Sequence, residues 1–418
     1  MNCQYCKHRT KEAIGLLGAN ITIKKIKEFG THTSFEFDGQ ITNDLDSFLE
    51  FKYKGFEAGY AVASYLIDQE KNPDYDLSGN SKKVIKLINL TCRTFDWFDV
   101  LFKASKFDAA YAMNGRLLYY RGFFRAAVNN GVDCFLHERG GRKDKFLLVK
   151  NQLPHDLSMW KNLLEKTKDE FSKEEIRKIG SKFYDDRRRG IEYNYVSFVS
   201  DQVQGILPKV NEGHKRIGFF LSSEFEFAAV NPEWRNPVYP NQNIGTYEII
   251  KDLEPKKNNI EIFVRAHPNM RGNKNQELEK LMGLNLPNTR MIRPESPISS
   301  YELLDLCDSI FTFGSTVGVE AAYWGKPSVL AGKAIYEDLN CVYKCTSHEE
   351  VVSLLGQNLV PKPRDESFLY GAMISTFGEK FNFVNMESPF KGKFKNIDIN
   401  RNPPLYKRVA LKVLSLVS

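Results

Sequence analysis

Ser300-Tyr-Glu-Leu-Leu-Asp-Leu-Cys-Asp308, followed by Ser309-Ile-Phe-Thr-Phe313, Gly314-Ser-Thr-Val-Gly-Val-Glu320 and Ala321-Ala-Tyr-Trp-Gly-Lys-Pro327, reads as helix, strand, turn and helix. Leu303, Leu304 and Cys307 recur on one helical face. Ser299 or Ser300 is available as the N-cap, and Glu302 falls in the first turn, at the positive end of the helix dipole. Ser309 to Phe313 is short and rich in aromatic and branched residues, so its flanks rather than its period mark it as a buried strand. Gly314 permits a tight turn, after which Ser315, Thr316 and the following amides are placed to face an anion at the start of the next helix. A Gly-Ser-Thr also simply caps helices. What favours a site is position, because open α/β sheets bind ligands outside the carboxyl ends of their strands.

Upstream, Ile260-Glu-Ile-Phe-Val-Arg-Ala266 is a strand that His267-Pro268 must end, since proline cannot continue a ladder. His267 is thereby put at a strand end, expected beside the Ser315-Thr316 loop if the two strands are neighbours in a parallel sheet. An imidazole there would donate to a phosphate oxygen, with Arg265 and Arg271 adding positive charge. His-Pro is otherwise a common structural turn. Arg216-Ile-Gly-Phe-Phe-Leu221 is a further strand, carrying Ser222 and Ser223 at its ligand-side end. Thr246 to Leu253, Gln276 to Met282 and Ser347 to Leu355 read as helices between strands near Met291, Ser309 and Ser328, an alternation that predicts a Rossmann-like domain.

The first half repeats this logic less plainly. Phe51 to Asp68 and Ile88 to Lys106 have helical apolar spacing. Ala109 to Met113 leads as a strand to Asn114-Gly115-Arg116, a helix runs from about Leu117 to Asn130, and Val132 to Leu136 is a strand that delivers His137 and Glu138. Lys161 to Arg189 is polar and charged. Its Arg187-Arg188-Arg189 run reads as a solvated face, with contact to an anionic acceptor as the alternative. After Pro361 the periodic alternation fades, and Leu405 to Ser418 forms a basic, apolar tail that either packs on the first domain or touches a membrane surface. The expected division is residues 1–205, 206–360 and a 361–418 extension returning to the first domain.

These motifs resemble bacterial capsule and surface-polysaccharide glycosyltransferases, in particular the group with Kdo transferases and bacterial sialyltransferases. The matching marks are His267-Pro268, Ser315-Thr316, and an acid before glycine in His137-Glu138-Arg139-Gly140-Gly141, here with one acid rather than two. Ser222-Ser223-Glu224-Phe-Glu226, Tyr323-Trp324-Gly325-Lys326-Pro327 and Asn114-Gly115-Arg116 add to the likeness, which covers roughly residues 50–380. It implies the GT-B fold, α/β with two Rossmann-like domains facing across a cleft. It further implies transfer from a nucleotide sugar, a CMP-activated acidic sugar such as Kdo being favoured, to a glycan or lipid-linked glycan. No oxygen-rich pair of acids marks a metal site in the sequence, so the transfer is expected to be metal-independent and without a cofactor. Glu138 would be the catalytic base, with Asn114, Arg116 and Arg139 beside the acceptor, and with Glu224 and Glu226 as the next candidates. His267, Ser315, Thr316, Glu320, Arg265, Ser222 and Ser223 would hold the nucleotide and its phosphates. Glu320 reads equally as a first-turn acid. A teichoic-acid type polyol-phosphate transferase and a non-catalytic assembly subunit are the rival readings.

Composition agrees with an enzyme of this size. With 418 residues and 42% hydrophobic content, the chain is long enough for two cores. Lys and Arg number 59 against 52 acids, a net charge of +7, which suits anionic sugar nucleotides or a membrane surface and comes with no nucleic-acid motif. Seven scattered cysteines and the absence of an apolar leader predict a reducing, cytoplasmic setting, peripheral to the inner membrane face where the acceptor is lipid-linked. Cys3, Cys6 and His8 have metal-ligand character but lack a second cysteine pair.

Overall fold

The computed structural model describes residues 10–11, 14–15, 21–22, 35–193, 198–272, 275–388 and 391–398. Cys3, Cys6 and His8, and the tail from Leu405 to Ser418, lie outside the described residues.

In the amino-terminal unit, helices α1 (Leu45–Leu49), α2 (Ala58–Glu70) and α3 (Ser81–Ala104) precede strand β1 (Ala110–Met113), helix α4 (Leu118–Asn129) and strands β2 (Cys134–Arg139) and β3 (Lys145–Lys150). The apolar spacing from Phe51 predicted an earlier start for α2. Instead Tyr53 bridges Phe56 through a turn whose Gly55 has φ +79°, a conformation that glycine adopts freely, and the helix begins only at Ala58. β1 and β2 are parallel, with Met113 opposite His137, as a strand, crossover helix and strand require. β3 returns antiparallel to β2, so this sheet is small and mixed. Along β2, Cys134 and Leu136 are fully buried while His137 is exposed, the alternation of a half-covered sheet.

Helices α5 (Leu157–Glu170) and α6 (Lys173–Arg188) occupy the charged span, and a Ser172–Glu175 capping box starts α6. The carboxyl-terminal unit then alternates strand and helix as far as β8, after which β9 follows without a helix between: β4 (Lys215–Phe220), α7 (Gln242–Leu253), β5 (Ile260–Arg265), α8 (Gln276–Met282), β6 (Thr289–Ile292), α9 (Ser300–Leu306), β7 (Ser309–Thr312), α10 (Val317–Tyr323), β8 (Ser328–Leu330), β9 (Tyr343–Lys344) and α11 (His348–Gly356). Its six strands are all parallel in the order β6-β5-β4-β7-β8-β9. The chain winds outward through β6 and returns to the far side of β4 with β7, so the topological switch point lies between β4 and β7. The strand before His267 and the strand before Ser315 are therefore not neighbours; β4 stands between them.

Beyond Pro361, where the periodicity fades, the chain makes helix α12 (Asp365–Thr376) and strand β10 (Glu379–Lys380). Every residue of α12 from Ser367 to Ser375 is buried, so no amphipathic stripe marks it in the sequence. It packs on α6 where Gly180 and Gly371 let the backbones meet: a Cβ on Gly371 would lie 3.0 Å from the Gly180 Cα. β10 pairs antiparallel with β3 of the first sheet, and a three-stranded sheet follows, β11 (Val384–Ser388), β12 (Lys391–Phe394) and β13 (Ile397–Asp398). The architecture is thus α/β of the GT-B type, two α/β units facing across a cleft. Among the described residues no helix is long and apolar enough to cross a membrane.

Candidate active site in the cleft

A cavity of about 1140 Å³ lies between the units. Asn114, Arg116, Glu138, Arg139 and His155 line it from the amino-terminal unit, and His267, Ser315 and Thr316 from the carboxyl-terminal one.

The Ser315 loop is built on Thr312, the fully buried last residue of β7. Its hydroxyl donates to the Phe220 carbonyl of β4 (3.0 Å), across the switch point, and accepts from the Gly314 and Ser315 amides (3.2 and 2.8 Å). Gly314 has φ +144°, and a Cβ there would sit 2.4 Å from the Lys333 carbonyl oxygen, so only glycine fits. The Ser315 amide, expected to face an anion, is turned inward to Thr312. The loop brings the Ser315 and Thr316 side chains to the cleft. Ser315 Oγ accepts from the Val317 amide (3.4 Å), which leaves its own proton to donate, and Thr316 is exposed.

His267 sits just beyond β5, its Nδ1 accepting from the Asn269 backbone N–H at 3.1 Å. An amide nitrogen can only donate, so Nδ1 is bare. The Ser223 hydroxyl 3.0 Å away therefore donates to it as well, and the ring proton resides on Nε2. Burial, helped by the positive charges of Arg187 and Arg265, lowers the imidazole from 6.5 to about 4. At neutral pH His267 is an uncharged N–H donor lining the cleft.

Several expected phosphate ligands are already engaged by protein groups, although Arg265 and Glu320 do line the cavity. Ser223 works through His267 and is not itself on the cavity wall. Ser222 is clipped by Gln242, whose side chain accepts from its amide (2.8 Å) and donates to its carbonyl (2.9 Å), while its buried hydroxyl has no hydrogen-bond partner among the described residues. Arg265, 2% exposed, spends its guanidinium on the Arg293 and Ser296 carbonyls (2.7 and 3.1 Å). Glu320 is buried, with one carboxylate oxygen 3.0 Å from Arg187 and the other accepting from the Tyr301 hydroxyl. Burial disfavours charge on Arg187, but Glu320 outweighs it and holds the guanidinium firmly protonated. Of the arginine run only Arg189 is exposed as a solvated face would be: Arg187 clasps Glu320, and Arg188 pairs with Asp305 and lies over the Trp324 ring at 4.7 Å.

On the opposite wall Glu138 accepts from Asn114 Nδ2 (2.8 Å) and from the Arg139 amide (3.0 Å). Asn114 has φ +62°, which asparagine tolerates better than most residues, and its Oδ1 accepts from the Arg116 amide (3.1 Å). Arg116, buried, donates to the Glu226 carbonyl across the cleft (2.8 Å). Glu226 lines the cavity and accepts from Asn269 (2.7 Å), with its carboxyl raised by burial. Glu224 accepts from the Gln242 amide, is pushed up to about 7 by burial, and is not on the cavity wall. Sequence reasoning overlooked His155, whose Nε2 lies 3.8 Å from Glu138 Oε2. Its only sequence signal is a polar Pro154-His155-Asp156 turn ahead of α5. Arg187 and Tyr301 were missed as partners of Glu320 because Arg187 lies far from it in the chain and Tyr301 stands on the preceding helix, so that only the fold brings the three together.

No protein-family profile and no curated protein matches the chain. Among solved structures it is similar to the β-Kdo 2,4 transferase of Thermosulfurimonas dismutans KpsC, at 13% identity and a TM-score of 0.43, covering 74% of this chain and 87% of that one. The β-Kdo 2,7 transferase of the same protein matches at 15% and 0.38, over 66% and 80%. The Neisseria meningitidis UDP-GlcNAc 2-epimerase bound to UDP-GlcNAc matches at 12% and 0.31, over 79% and 82%.

Proposed function

We propose that the chain is a metal-independent glycosyltransferase of surface-polysaccharide biosynthesis, taking a nucleotide sugar, with a CMP-activated acidic sugar favoured, and a glycan or lipid-linked glycan acceptor. The observation that carries this reading is the opposition of Glu138 on one wall to the neutral, Nε2-protonated His267 on the other. The acceptor hydroxyl gives its proton to Glu138 as its oxygen attacks the anomeric carbon. The bond from that carbon to the donor phosphate breaks, and its electron pair leaves with the nucleotide. The charge growing on the phosphate is met by the His267 N–H and the Ser315 and Thr316 hydroxyls, donors already in place. The net charge of +7 suits an anionic donor and a cytoplasmic enzyme peripheral to the inner membrane face. Thermal stabilisation of purified protein by CMP, UDP and GDP tests the nucleotide. Stabilisation by CMP above the others is expected; UDP or GDP in its place would overturn the CMP preference, and no response to any of the three would overturn the reading.

A further inference from the structure

His155 and Glu138 stand 3.8 Å apart, Nε2 to Oε2, each about a quarter exposed and both on the cavity wall. That separation is too long for a direct hydrogen bond, yet an oxygen placed about 2.8 Å from each fits between them. Glu138 is anchored by Asn114 and the Arg139 amide. His155 is anchored from the other unit, its carbonyl accepting from Trp234 Nε1 at 2.7 Å, while Asp156 beside it is held by Asn231. His155 Nδ1 is buried and makes no hydrogen bond among the described residues, whereas Nε2 faces a carboxylate, which draws the ring proton to Nε2.

We propose, resting on the glycosyltransferase reading above, that Glu138 and His155 form a two-point seat for the attacking hydroxyl. The oxygen donates its hydrogen to Glu138 Oε2 and accepts one from His155 Nε2. The O–H bond then breaks toward Glu138, the oxygen's electron pair forms the new bond to the anomeric carbon, and the pair of the broken carbon–phosphate-oxygen bond departs with the nucleotide. His155 keeps its proton throughout and aims the oxygen. Burial and the Arg116 charge hold the imidazole at about 4 despite Glu138, so it stays neutral while it does so. Because the 231–234 loop fixes His155, the seat exists only where the two units meet.

The test uses the whole chain with CMP-, UDP- and GDP-sugars and water as the only acceptor, reading nucleotide release. His155→Phe, which keeps the ring but removes the N–H, should slow release about tenfold at unchanged donor KM. His155→Gln, which returns an N–H near Nε2, should recover most of the rate. Wild-type release from His155→Phe would overturn the proposal, as would a loss in both variants accompanied by an equal loss of nucleotide affinity. Nitrogen-15 histidine NMR of the unmodified protein reads the tautomer without turnover: a proton on Nε2 of His155 is expected, and one on Nδ1 overturns the seat whether or not any donor reacts. Near-normal release from Glu138→Gln would instead sink the glycosyltransferase base itself.

Discussion

Thr312→Val replaces a hydroxyl by a methyl of nearly the same size in a residue with no solvent exposure, so the perturbation is chemical rather than steric. The hydroxyl makes three hydrogen bonds, one donated to the Phe220 carbonyl and two accepted from the Gly314 and Ser315 amides. At roughly 0.5–1.5 kcal/mol each, with the orphaned Phe220 and Ser315 groups at buried positions, the loss should total about 2–4 kcal/mol. The same bonds tie the Ser315 loop to β4, so nucleotide affinity should fall in parallel as the loop loosens. Urea unfolding monitored by tryptophan fluorescence gives the stability, and calorimetric titration with CMP gives the affinity. Thr312→Ser retains the oxygen and should recover most of both. A Thr312→Val protein within about 0.5 kcal/mol of wild type, with unaltered nucleotide binding, would refute the role assigned to the switch point.

Glu138→Gln should lower turnover by roughly 10²- to 10⁴-fold while nucleotide affinity stays unchanged, measured by nucleotide release and calorimetry. Arg187→Met leaves the Glu320 carboxylate buried without its cation and should cost about 3 kcal/mol in denaturant unfolding, whereas Arg187→Met with Glu320→Gln should recover part of that loss. His267 and His155 bind protons less readily folded than unfolded, so stability should be full above pH 6.5 and decline as pH falls toward about 4. Each imidazole contributes at most about 3 kcal/mol, and His267→Gln should flatten that part of the stability–pH curve.

Where cause was local, the sequence was readable. Ser299 caps α9 and Glu302 follows in its first turn, because capping and dipole effects need only adjacent residues. His267 and Ser315 both emerge at the carboxyl ends of buried parallel strands, since proline and glycine end those strands where they stand. Strand order is not local: nothing in the text of the chain says that β4 lies between β5 and β7. The same holds for arginine partners. Arg187 and Glu320 are distant in the chain, so a run of three arginines looks like solvated charge until the fold is known. Arg265 lines the cavity as its place after β5 suggests, but that its guanidinium bonds the Arg293 and Ser296 carbonyls follows from packing that no local pattern shows. Helix α12 escaped notice because it is buried all round and lacks the stripe that reveals a surface helix.

The most direct measurement is a crystal structure with whichever of CMP, UDP and GDP gives the largest thermal shift. A phosphate oxygen within hydrogen-bonding distance of His267 Nε2, with the Ser315 or Thr316 hydroxyl as a second donor, is the predicted result. A nucleotide seated elsewhere, or one in the cleft whose phosphate is held by other groups while His267 remains unengaged, would contradict the account.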